Sequence, residues 1–240
     1  MIYTLENDSL KVQVNSHGGE LWSIQTKDGV EYLWQGDETY WKDRALNLFP
    51  YIARLTEGKY MLDGKTYEMP IHGFVNSSDL EAEEHTAQRL VLKLTDSENT
   101  REMYPFAFVY WLTYELVGNK LNVTFAVENN DKKVMYFGVG GHPGFAVPDY
   151  CLQFEAPGNP IRVGFSEDCF VNGEDSEFIL SDGGKLPLAH NLFDQDAIVL
   201  TDMAKAVTLC SEKGTRSVRV SYPQMNFLGI WHMPFTDAPY

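Results

Sequence analysis

The chain has 240 residues and a formal net charge of −15 at pH 7. That balance argues against nucleic acid and anionic membrane surfaces as partners, since both attract basic patches. A hydrophobic content of 44% supplies a core without covalent staples.

The N-terminus lacks a basic flank followed by an apolar leader, and no run of about 18 apolar residues occurs, so nothing predicts a membrane span. Two-residue periodicity predicts strands at 10–15, 21–26, 59–62, 67–69 and 90–94. The clearest pattern follows. Phe106, Phe108, Tyr110, Leu112, Tyr114 and Leu116 alternate with less apolar residues. Gly118-Asn119 then makes a hairpin turn, and Leu121, Val123, Phe125 and Val127 alternate back. Further strands are predicted at 134–139, 151–155, 197–200, 206–210, 217–221 and 227–231. Turn pairs separate many of these runs, at Asp28-Gly29, Asp63-Gly64, Gly158-Asn159, Asn172-Gly173 and Asp182-Gly183.

Short strands with frequent turns predict an all-β chain, a large antiparallel β-sandwich with little helix. No repeat, linker or low-complexity tract divides it, so a single domain over 1–240 is expected, with the polar stretch 167–192 running over its surface. Three widely spaced cysteines, Cys151, Cys169 and Cys210, match neither a disulfide framework nor a zinc site. Reduced thiols fit a cytoplasmic location.

Familiar chemistries are missing. There is no phosphate-binding glycine loop, no serine elbow and no metal-ligand spacing, which favours a mechanism without cofactor or metal. Two histidines stand out instead. His72 lies in Met69-Pro70-Ile71-His72-Gly73-Phe74, between a proline and a glycine that stiffen and then sharply turn the backbone. His142 lies in Gly140-Gly141-His142-Pro143-Gly144-Phe145, with the same punctuation. The two are expected to meet in one cleft.

These two motifs, with the stretch LWQGDETYWKDRALNLFPYIARLTEGKY from Leu33, resemble the aldose 1-epimerase (galactose mutarotase) superfamily, most closely its LacX-type branch. Ser16-His17-Gly18-Gly19-Glu20-Leu21 is similar to that family's first glycine turn, and Leu192-Phe193-Asp194-Gln195-Asp196-Ala197 to a later segment. The resemblance implies a galactose mutarotase-like supersandwich that interconverts the α and β anomers of a hexose. By motif, His142 corresponds to the general acid at the ring oxygen and His72 to the second active-site histidine. Arg54 corresponds to the sugar-binding arginine, and Asp196 to an acceptor of sugar hydroxyls, with Asp194 an alternative. Phe74 and Trp231 are candidates to stack on the sugar's apolar face.

Two departures from the family pattern bear on function. The family's general base is a glutamate in a C-terminal strand, whereas the last glutamate here is Glu212 and the chain ends at Tyr240. A form truncated before that strand is therefore expected. Asn76 stands where many relatives carry arginine, which disfavours a hexose 6-phosphate as substrate. The alternatives are a carbohydrate-binding or regulatory protein without turnover and a hexose 6-phosphate mutarotase.

Overall fold

The computed structural model describes residues 1–146, 150–155, 158–181, 183–211 and 216–239, and its strand ladders are antiparallel, as the periodicity predicts. The chain is all-β, a β-sandwich protein. Contacts fall into two compact units, residues 1–36 with 43–144 and residues 37–42 with 145–240. Each has its own apolar core.

In the first unit β1 (Ile2–Glu6), β2 (Leu10–Asn15) and β3 (Leu21–Thr26) form a meander. β4 (Ala45–Leu48) follows, and β5 (Lys59–Leu62) pairs with β6 (Lys65–Glu68). Asp63 and Gly64 join those two strands at φ 50° and 78°, the left-handed backbone that a tight hairpin demands. A four-stranded sheet then contains β7 (Glu81–His85), β8 (Arg89–Thr95), β9 (Phe108–Val117) and β10 (Lys120–Asn129), in the order β10-β9-β8-β7. A short helix, α1 (Glu98–Met103), links β8 to β9. Ser97 caps it by accepting from the Thr100 N–H.

Strand alternation decides which side chains enter the core. Leu10, Val12 and Val14 of β2 face Leu90 and Leu92 of β8 and Phe108, Tyr110, Leu112, Tyr114 and Leu116 of β9 in one buried cluster. The stretch 134–139, predicted as a strand, is not one. Met135 and Val139 pack on the core while Val134 and Tyr136 point outward, so the two-residue pattern is present, but no strand ladder forms there. β11 (Gly140–Pro143) begins only afterwards and pairs with β4.

In the second unit β12 (Tyr150–Phe154) belongs to one sheet and β13 (Ile161–Arg162) and β14 (Ser176–Glu177) to another. β15 (Lys185–Pro187), β16 (Ile198–Thr201), β17 (Ala206–Ser211), β18 (Ser217–Ser221) and β19 (Leu228–Ile230) complete the orders β15-β12-β17-β18 and β14-β13-β16-β19. Leu152, Phe154, Val207 and Leu209 from the first sheet share a core with Ile198, Leu200 and Ile230 from the second. The stretch 167–192 does more than cross the surface. It contributes two strands, and Leu180 and Leu186 are buried in that core. Asp182 of the expected Asp182-Gly183 turn, Glu212 and Tyr240 lie outside the described residues. Among the described residues, no helix is long and apolar enough to cross a membrane.

Candidate active site

β4 and the residue after it organise the histidines. Phe49 is fully buried, its ring among those of Phe74, Tyr104, Phe108 and Tyr110. Its carbonyl accepts from the N–H groups of Phe74 at 3.0 Å and Val75 at 3.2 Å, so the loop carrying His72 is tied to the end of β4. That approach requires glycine at 73. A Cβ there would lie 2.1 Å from the Phe49 carbonyl oxygen, and the backbone sits at φ 77°.

His72 itself adopts φ 66° and is clamped twice to Ala53, which lies at φ 68°. The His72 N–H donates to the Ala53 carbonyl at 3.0 Å, and the Ala53 N–H donates to His72 Nδ1 at 3.0 Å. With Nδ1 acting as acceptor, the neutral ring carries its proton on Nε2. Left-handed backbone at a residue as bulky as histidine costs on the order of 1–3 kcal/mol and persists only where surrounding contacts impose it.

His142 reaches the same place from β11, where it stands opposite Leu46 of β4. The rings of His72 and His142 lie 5.7 Å apart between centroids, inclined at 35°. Burial first, and then the neighbouring His72, lower the His142 pKa from 6.5 to about 4. The His72 pKa is also lowered, first by burial and then by the positive charge of Arg54. Both rings are therefore neutral at pH 7, and the exposed Arg54 acts electrostatically on one of them.

β4 is anchored by a residue that sequence reading passed over. Asn47 is 3% exposed, and its Nδ2 lies 3.0 Å from the carbonyls of Gly18 and Gly19 and 3.2 Å from the Tyr114 hydroxyl. The signal was available: a lone amide inside the apolar run Ala45–Leu48 needs partners once it is buried. Asn47 stands opposite Gly141, next to His142, so this network fixes the strand that sets the position of His142.

Phe74, expected as a sugar-stacking ring, is 2% exposed and packs against Phe49, Tyr104 and Phe108. It has no face for a ligand and belongs to the core. Asp196 and Trp231 are in the second unit. Asp196 sits at φ 69° with its carboxylate accepting from the Ala197 N–H at 2.9 Å. Asp194, the alternative, lies in helical backbone at φ −61°, ψ −20°, so the segment between the two is not extended. Trp231 is partly buried and meets Trp41 edge-on at 5.9 Å.

The family model described as aldose 1-epimerase matches residues 1–240. This chain belongs to that family. Within the aldose 1-epimerases it falls in the LacX branch, since it is 31% identical to the plasmid-encoded protein LacX of Lactococcus lactis, over 96% of this chain and 83% of that one. Two solved structures of family members superpose closely. A galactose mutarotase related enzyme from Lactobacillus acidophilus has 33% identity and a TM-score of 0.94, covering 99% of this chain and 82% of the other. A galactose mutarotase-like protein from Lactobacillus casei has 31% identity and a TM-score of 0.94, covering 100% and 85%.

Proposed function

We propose that this epimerase-family protein is a mutarotase that interconverts the α and β anomers of a free hexose in the cytoplasm. The observation that carries this reading is the approach of the His72 and His142 rings to 5.7 Å, one from a loop tied to the end of β4 and the other from β11, which pairs with β4. Anomer exchange needs a proton delivered to the ring oxygen and a proton taken from the anomeric hydroxyl. The C1 to ring-oxygen bond then breaks, the free aldehyde rotates and the ring recloses.

His142 is the donor to the ring oxygen in this mechanism. A ring with a pKa of about 4 is charged in few molecules at pH 7, and the readier release of its proton offsets that only in part. His72, held with its proton on Nε2, donates to a neighbouring oxygen of the sugar. Arg54 offers its guanidinium fork to hydroxyl oxygens. The base is the glutamate implied by family resemblance, and none of this chain's glutamates is assigned to it.

Polarimetry of freshly dissolved α-galactose or α-glucose tests the reading. Catalysis should speed the approach to equilibrium, and His142→Asn should lower kcat by about 10²–10⁴-fold with KM changed only a few-fold. Equal kcat in the variant contradicts the assignment of the acid. A second reading, a protein that binds sugar without turning it over, is favoured by the fact that none of this chain's glutamates is assignable as the base. Sugar binding by calorimetry with no acceleration in the polarimeter would select it.

A further inference from the structure

We infer that Cys151 and Cys210 form a redox-responsive dithiol, able to close into a cross-strand disulfide between β12 and β17. The register makes them direct partners, Cys151 opposite Cys210 in an antiparallel ladder. Residues directly opposite each other point to the same face of a sheet. Their neighbours confirm which face. Leu152 opposite Leu209 and Phe154 opposite Val207 both turn into the apolar core, so the cysteine pair lies on the other side of the sheet.

Directly opposed residues have Cα atoms about 4.5 or 5.5 Å apart, and both spacings fall within the range of roughly 4.4–6.8 Å that a disulfide bridges. The Cys210 Sγ already reaches across the ladder, 3.3 Å from the Cys151 carbonyl oxygen. The Cys151 Sγ lies 3.8 Å from the carbonyl oxygen of Leu152, the next residue on its own strand. Cys169 lies outside both strands, at φ 61°.

Accessibility sets the order of events. Cys151 is 1% exposed and Cys210 is partly exposed, so a small oxidant meets Cys210 first. With a low-molecular-weight disulfide of the glutathione class as oxidant, the Cys210 thiolate attacks one sulfur and releases one thiol. The Cys151 thiolate then attacks the Cys210 sulfur, displaces the second thiol and forms the protein disulfide. Two electrons and both thiol protons pass from the protein to the oxidant, which leaves as two thiols. Dithiothreitol reverses the exchange.

The test treats the folded protein with glutathione disulfide, alkylates it with iodoacetamide under denaturing conditions and maps the tryptic peptides by mass spectrometry. The expected product carries a Cys151–Cys210 linkage, with alkylation retained at Cys169 and a raised urea midpoint that dithiothreitol abolishes. Cys151→Ser should stop at a mixed disulfide on Cys210, and Cys169→Ser should leave the linkage unchanged. Full alkylation of both cysteines after oxidation overturns the inference. So does glutathione that persists on Cys210 of the unaltered protein, or a linkage that involves Cys169.

Discussion

His142 sits where a charged imidazole is disfavoured, and that makes its protonation state a stability variable. Its folded pKa of about 4, against 6.5 for an unperturbed ring, corresponds to about 3 kcal/mol. The sign follows from which state binds the proton. Above about pH 6.5 both folded and unfolded rings are neutral, and nothing is lost. As pH falls toward 4, the unfolded ring takes up a proton that the folded ring refuses, so stability declines through that window. Replacement by glutamine removes the titration. The unfolding free energy of the native protein minus that of His142→Gln should therefore fall by up to about 3 kcal/mol between pH 7 and pH 4. Urea denaturation at each pH measures it, and a difference that stays constant contradicts the depressed pKa.

At the scale of elements, the loop bearing His72 depends on its contact with the end of β4. Gly73→Ala would drive a methyl group against the Phe49 carbonyl and force an L-residue to remain at φ 77°. The expected cost is at least about 2 kcal/mol by chemical denaturation, with kcat reduced because His72 is displaced. Alternation made many elements legible in advance. The bounds of β2, β3, β5 and β18 follow from it, as does the β9–β10 hairpin around Gly118 at φ 59°. Other elements carry no such pattern. β7 is Glu81–His85, exposed along its whole length, and β11 begins with two glycines that read as chain breakers. Both exist because a neighbouring strand offers a ladder, which is a tertiary effect that local propensity does not encode.

The candidate site divides the same way. The meeting of the two histidines was readable because proline and glycine punctuate both, whereas Arg54 rests on the family resemblance. The left-handed backbone of Ala53 and Asp196 was not readable, because only long-range contacts impose it on such residues. Phe74 was misjudged for a related reason. An aromatic next to a candidate catalytic residue looks like a ligand contact until the packing of Phe49, Tyr104 and Phe108 is known.

For the whole molecule, the charge of −15 sets a background of self-repulsion that the surface ion pairs do not cancel. Pairs such as Lys27–Glu6, Arg89–Glu84 and Lys133–Asp63 are exposed and worth little each. Raising ionic strength from about 0.01 M to 0.15 M shortens the screening length from about 30 Å to 8 Å. Relief of repulsion should outweigh loss of the pairs, and Tm should rise by about 2–4 °C for each kcal/mol gained. Calorimetry at the two ionic strengths measures it; a fall in Tm would show that the ion pairs dominate.

The clamp between Ala53 and His72 has one more consequence. Because a main-chain amide permanently occupies one nitrogen of the imidazole, this ring has a single working end. A hydrogen nucleus that departs toward the substrate must be replaced through the same Nε2, never handed in from behind. In the mechanism proposed above, traffic at this position therefore runs in and out by one door, and replenishment from bulk solvent arrives from the side proposed for the sugar.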